Sequence, residues 1–162
     1  LKESQINLFQ ALGFYTTPNI RLPVAQASSP SEDLRISPLQ LALAAAAISN
    51  DGIRPSPRLV MAVKTPFQSW VVLPALSEPV QALQTDSIAN SIDQYILKDQ
   101  PIWNYEYSFR DAPEKSNLTW FLAGTQPGWE GTPLVLVILL EENNLAFARE
   151  MGQTIIALAL QP

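Results

Sequence analysis

Few side chains in this chain could do chemistry, and the commonest ones are missing. There is no His and no Cys. That excludes a Ser–His–Asp triad, a Cys–His dyad, an imidazole metal ligand, a disulfide and a thiolate-bound zinc or iron–sulfur centre. What remains is a carboxylate pair, a carboxylate metal site, or a serine activated by lysine. The last needs the amine one helical turn from the hydroxyl. No serine here has Lys three residues later, and none has Asn two residues later. Lys64-Thr65 is the only Lys-Thr pair, and Pro66 follows it. Glu141-Glu142 is a poor acid–base dyad, because adjacent strand residues point to opposite faces; a solvated strand end is expected. Asp111, Glu114 and Lys115 read as a charged turn. The alternating Trp103, Tyr105, Tyr107 and Phe109 could stack on a sugar or peptide, although aromatic strand residues more commonly form core or cross-strand pairs. Trp129, in a loop with Gly and Pro, is a candidate contact aromatic or tucks back onto the sheet. No catalytic, cofactor-binding or metal-ligating residue is assigned, and no cofactor is expected.

Composition narrows the partners. The 162 residues suit one domain, 1–162, with a real core: 47% are hydrophobic and 15% charged. Ten Lys and Arg face fifteen Asp and Glu, for a net charge of −5. Such a balance argues against nucleic acid and, more weakly, against an anionic membrane surface. The longest apolar runs, 41–48 and 134–140, fall far short of the ~20 residues of a spanning helix. The chain begins at Leu1, so a mature or excised piece is expected, with any signal or anchor upstream.

Helical spacing of Ile6, Leu8, Phe9 and Leu12 predicts a first helix from Glu3 to Leu12, stopped by Gly13 and lacking a visible cap. Residues 14–36 read as a long polar loop. Ser37-Pro38 is a helix start, with Ser as cap and Pro in the first turn. The helix that follows runs to Asn50, is apolar nearly all round and ends at Asp51-Gly52; such a helix is buried on most sides. Arg58–Lys64 reads as a strand, with Trp70–Leu73 as its partner. Val80–Leu97 reads as a helix, carried by Leu83, Ile88, Ile92, Tyr95 and Ile96. Trp103–Phe109, Leu118–Gly124 and Leu134–Leu140 read as strands of an antiparallel meander, the last apolar on both faces like a central strand. Asn144 caps a final helix, Leu145–Leu160, with Leu145, Ala148, Met151, Ile155 and Leu158 on its inner side. The fold class is α+β, an antiparallel sheet covered by helices.

The run Ile36-Ser37-Pro38-Leu39-Gln40-Leu41-Ala42, closing at Asn50-Asp51-Gly52 and followed by Pro57-Arg58-Leu59-Val60, resembles the transpeptidase domain of penicillin-binding proteins. Gly13-Phe14 through Leu22-Pro23 is similar to the family segment before that helix. Trp120-Phe121-Leu122-Ala123-Gly124-Thr125-Gln126-Pro127 is similar to the strand after the family's third catalytic motif. Leu134–Glu141 and the last helix fit the family's last strand and helix. The resemblance covers most of this chain but only the C-terminal half of such a domain. Its plainer reading is a capped alanine-rich helix.

That family works with Ser-x-x-Lys, Ser-x-Asn and Lys-Thr/Ser-Gly. The first two could lie upstream of Leu1. The third should precede Trp120, within 103–110, where this chain has Trp-Asn-Tyr-Glu-Tyr-Ser-Phe-Arg. There Glu106, if it faced the cleft, would repel a substrate carboxylate. The resemblance thus implies a non-catalytic module of a bacterial cell-envelope protein, extracytoplasmic, with a structural or interaction role. Its expected partners are other cell-wall synthesis proteins or the upstream part of its own parent chain. One alternative is the C-terminal half of a peptidoglycan D,D-transpeptidase whose serine lies upstream. Another is an unrelated small α+β binding domain.

Overall fold

Ser37 begins the helix that organises the molecule. In the computed structural model, which describes residues 2–30, 33–98, 100–109 and 117–161, helix α2 spans Pro38–Ser49. Gln40 N–H donates to Ser37 Oγ at 3.2 Å, and Ser37 N–H donates to Gln40 Oε1 at 3.0 Å. Two free backbone donors are thereby satisfied reciprocally. Gln40 is buried, and its Nε2 donates to Phe14 O at 3.0 Å and to Gly13 and Thr16 O at 3.3 Å each. One motif residue therefore both caps the helix and fastens the preceding loop to it. Among the described residues of 14–36 there is no helix or strand, as expected.

Helix α1, Glu3–Ala11, lies before that loop and ends one residue earlier than its spacing predicts. Its start lacks a side-chain cap, but Gln5 Oε1 accepts from Lys2 N–H at 3.0 Å. None of its residues is fully buried.

The main sheet is antiparallel, β5 (Ile102–Phe109), β6 (Leu118–Thr125) and β7 (Val135–Leu140), in the order β5-β6-β7. The register pairs Trp103 with Gly124 and Tyr107 with Trp120, and on the other side Trp120 with Leu139. Helix α4, Leu145–Ala159, covers one face, where Ile102, Phe121, Ala123, Ile138, Ala148 and Ile156 form a core. Helix α2 and α3 (Thr85–Ile92) close part of the other, around Ala45, Ile88, Ile92 and Trp103. The α+β architecture is thus as expected, with helices on both faces of an antiparallel sheet.

Several details depart from the sequence reading. The central strand is β6; β7 lies at an edge among the described residues. It is apolar on both faces because α2 and α4 both pack on it, which needs no second neighbour in the sheet. The long helix expected from Val80 is shorter. Val80 and Gln81 instead form β4, paired antiparallel with β1, Ile53–Arg54. Gly52 O accepts from the N–H of both Ala82 and Leu83, holding that stretch extended. After Ile92 the chain tightens into a 3₁₀ turn, Asp93–Tyr95, and Ile96 bridges to Trp103. The inner stripe of α4 is Ala148, Gly152 and Ile156, whereas Ile155 and Leu158 are exposed. Gly152 permits this by letting the helix close directly onto the Phe121 ring. Asn144 caps α4 as expected, accepting from Phe147 N–H at 3.1 Å. Arg58–Lys64 narrows to β2, Ala62–Lys64, paired with β3, Trp70–Val72, in a separate hairpin.

Candidate functional site: an uncharged aromatic groove beside α2

The sheet face under α2 is only partly covered. Side chains two apart on β5 share a face, so Trp103, Tyr105, Tyr107 and Phe109 form one row. Trp103 is buried, and its Nε1 donates to Ser49 Oγ of α2 at 3.0 Å. Beyond it Tyr105, Tyr107 and Phe109 are each close to half exposed. The core expectation for this row thus holds for Trp103 alone. Tyr105 stacks edge-on against Tyr95 at 5.5 Å, and Tyr107 against Phe109 at 6.0 Å.

Two hollows flank Leu41 on this face. One, of about 530 Å³, lies between α1, α2, α3 and the sheet, and is lined by Leu8, Leu12, Ile48, Ile88, Tyr95 and Leu122 among others. The second, of about 470 Å³, is lined by Leu34, Ile36, Leu41, Tyr105, Tyr107, Trp120 and Leu122. Leu41, Tyr105 and Leu122 border both, so the hollows adjoin along this face, and together they are the groove beside α2. Among the described residues, no charged side chain lines either. The polar groups are the hydroxyls of Ser87, Ser91 and the tyrosines. Among the described lining residues neither serine has an amine or carboxylate beside it to take its proton.

The other sequence candidates fall outside the groove. Glu106 points to the opposite face and is paired with Arg149 of α4, whose Nε donates to both carboxylate oxygens at 3.2 and 3.0 Å. The hydrogen bond and the charge of Glu106 raise the Arg149 pKa. The condition that would make Glu106 repel a carboxylate in the cleft is therefore not met. Lys64 lies opposite Trp70 in the β2–β3 hairpin, not on the main sheet. Glu141 and Glu142 follow the end of β7 and are exposed. Trp129 is half-buried, its indole folded over Gly131 of its own loop. Asp111, Glu114 and Lys115 lie outside the described residues. Among the described residues no three acidic side chains group as a metal site would need. Sequence reasoning missed the groove itself. Ser87 and Ser91 gave no signal and Leu8 showed only as part of a helical stripe, because only the packing of α1 and α3 brings them to the sheet.

The fold can be placed among known structures. No protein-family model and no curated protein sequence matches the chain. Solved structures do. The penicillin G acyl-enzyme complex of penicillin-binding protein A from M. tuberculosis superposes with a TM-score of 0.78 at 21% identity, over 99% of this chain and 44% of that one. Penicillin-binding protein 3 from the same organism, complexed with aztreonam, gives 0.75 at 15% identity, over 100% of this chain and 48% of the other. A peptidoglycan synthetase from Bifidobacterium adolescentis gives 0.64 at 13% identity, over 99% and 37%. The chain therefore has a penicillin-binding-protein transpeptidase-like fold. It spans less than half the length of these solved chains. An α+β domain of some other fold is not what it adopts.

Proposed function

We propose that this chain is a non-catalytic, penicillin-binding-protein-like module of a bacterial cell-envelope protein, with an interaction role. The observation that carries the reading is the uncharged groove. Where a transpeptidase would need a nucleophile with its base and a cation for a carboxylate, the described lining offers apolar and aromatic surface with only the hydroxyls of Ser87, Ser91 and the tyrosines. Strand β5, which precedes the Trp120 strand as the family's third motif would, contains no lysine. A groove of this size falls within the ~300–1,000 Å³ of ordinary binding pockets. Its occupant, on this reading, is a set of apolar side chains from another polypeptide, either a cell-wall synthesis protein or the upstream part of the parent chain. The outer edge of β7, unpaired among the described residues, supports the same conclusion, because such edges are normally covered or paired. The extracytoplasmic placement rests on the fold likeness.

The test is incubation with a fluorescent penicillin, followed by intact-mass measurement. No adduct is expected. A stoichiometric adduct on any serine of this chain overturns the reading. A second reading is favoured by length: the chain spans 42–48% of the two mycobacterial proteins. It is the C-terminal half of a D,D-transpeptidase with its serine upstream. A Ser-x-x-Lys upstream in the gene, together with acylation of the full-length protein, would select it.

A further inference from the structure

The β2–β3 hairpin stands apart from the groove and from both cores. Its register sets Lys64 beside Trp70 and Ala62 beside Val72, so Trp70 and Val72 share one face with Lys64. Val63 and Val71, paired in the register, occupy the other, which is less exposed. The turn between the strands is closed by Thr65, whose Oγ1 accepts from Gln68 N–H at 3.0 Å, and Phe67 is held at its tip. Phe67 is 98% exposed, Trp70 66%, Val72 72% and Met61 69%. At the hairpin base, Arg21, Leu22, Arg58 and Leu59 line a cleft of about 210 Å³. Leu22 and Leu59 are themselves exposed.

Charge is distributed unevenly in the same place. Between Asp51 and Glu78 the chain carries Arg54, Arg58 and Lys64 and no acid, although the whole chain is at −5. Arg54 is tied to Ala11 O at 3.0 Å, leaving Arg58 and Lys64, with Arg21 nearby, for an outside partner. The exposed rings sit at the tip and on the face that carries Lys64, which suits a surface offering apolar and anionic groups side by side. Aromatic rings with flanking cations and no acids are the chemistry of the lipid headgroup boundary. Unpaired backbone at the ribbon edges forbids deep insertion, so the contact is shallow. The acidic body does not cancel it, since exposed charges are screened beyond about 8 Å at physiological salt.

We infer that the β2–β3 hairpin is a membrane-contact element, placing Phe67 and Trp70 in the boundary of an anionic lipid bilayer with Lys64 and Arg58 at its headgroups. This goes beyond the proposed module and is independent of the groove.

The test is co-sedimentation of the chain with phosphatidylcholine vesicles, with and without phosphatidylglycerol, at about 1 mM lipid or more, since so small an anchor binds marginally. The chain should bind the anionic vesicles and lose binding as salt rises. Lys64→Gln should weaken it about fivefold there and hardly at all on pure phosphatidylcholine. The double variant Phe67→Ser/Trp70→Ser should lower it about tenfold or more. Both variants should keep the parent's unfolding midpoint, because the residues replaced are exposed. The chain has no cysteine, so Gln68→Cys gives a unique dye site at the tip and Glu150→Cys a control on α4. The tip dye should shift to the blue with vesicles and the control should not. Absence of vesicle binding, an unmoved tip dye, or parent-like binding by the double variant would overturn the inference. So would self-association without lipid that the double variant abolishes, which would assign the hairpin to a second copy.

Discussion

Trp103 and Ser49 hold the sheet to α2. The indole Nε1 donates to Ser49 Oγ at 3.0 Å, with both residues buried, across a sequence separation of 54. This bond fixes the start of the aromatic row and therefore the floor of the groove.

Ser49→Ala leaves a buried indole N–H without its acceptor and should cost about 1–3 kcal/mol. Trp103→Phe adds the loss of ring volume to that of the donor. In a double-mutant cycle read by urea unfolding, the two changes should couple by roughly 0.5 kcal/mol or more. Strict additivity would mean the bond contributes nothing.

Introducing a carboxylate into α2 should be costly in a graded way. Ala45 is 2% exposed but borders the larger hollow, whereas Ala47 is 0% exposed and does not. Ala47→Asp should therefore destabilise by several kcal/mol, as about 4 or more marks an unpaired buried charge. Ala45→Asp should cost less, because water in the hollow can reach it. Equal melting temperatures for either variant and the parent would contradict the burial of α2.

Gly152 is a packing glycine. A Cβ there would stand 2.1 Å from Cε1 of Phe121, a fully buried ring. Gly152→Ala should cost about 1–3 kcal/mol through overpacking of the α4 core. Pairing it with Phe121→Leu should recover part of the loss, as read by thermal unfolding. If Gly152→Ala is neutral, α4 does not sit this close to β6.

Stability should be nearly flat between about pH 6 and 8, because no side chain here has an ordinary pKa in that range. The resolved shifts are consistent with this. Arg149, raised by Glu106, contributes stability that is fully present below its unfolded pKa and is lost only as pH rises through the still higher folded value, in strongly alkaline solution. Burial lowers the pKa of Arg54 from a similarly alkaline starting point. A steep change in melting temperature across neutrality would reveal a titrating group and reopen the question of an active site.

The helices and strands of this chain were legible where local chemistry dictates them. Ser37 and Asn144 cap because their side-chain oxygens can reach a backbone N–H three residues on, and that needs no tertiary contact. The alternation from Trp103 to Phe109 marks a strand for the same local reason. The absence of His and Cys limits the chemistry in any fold. Other features were decided only by packing. Val80 and Gln81 precede a helical pattern in sequence, yet Gly52 O captures the N–H groups just beyond them and β1 pairs with them. β7 is apolar enough for a central strand, but its sheet position follows from where β6 lies. Glu106 and Tyr105 are adjacent in sequence, and only the pleat and α4 send one to Arg149 and leave the other facing the groove. The groove exists because α1, α2 and α3 meet the sheet without filling it. Burial is a property of neighbours distant along the chain, and residue types carry no record of which neighbours arrive.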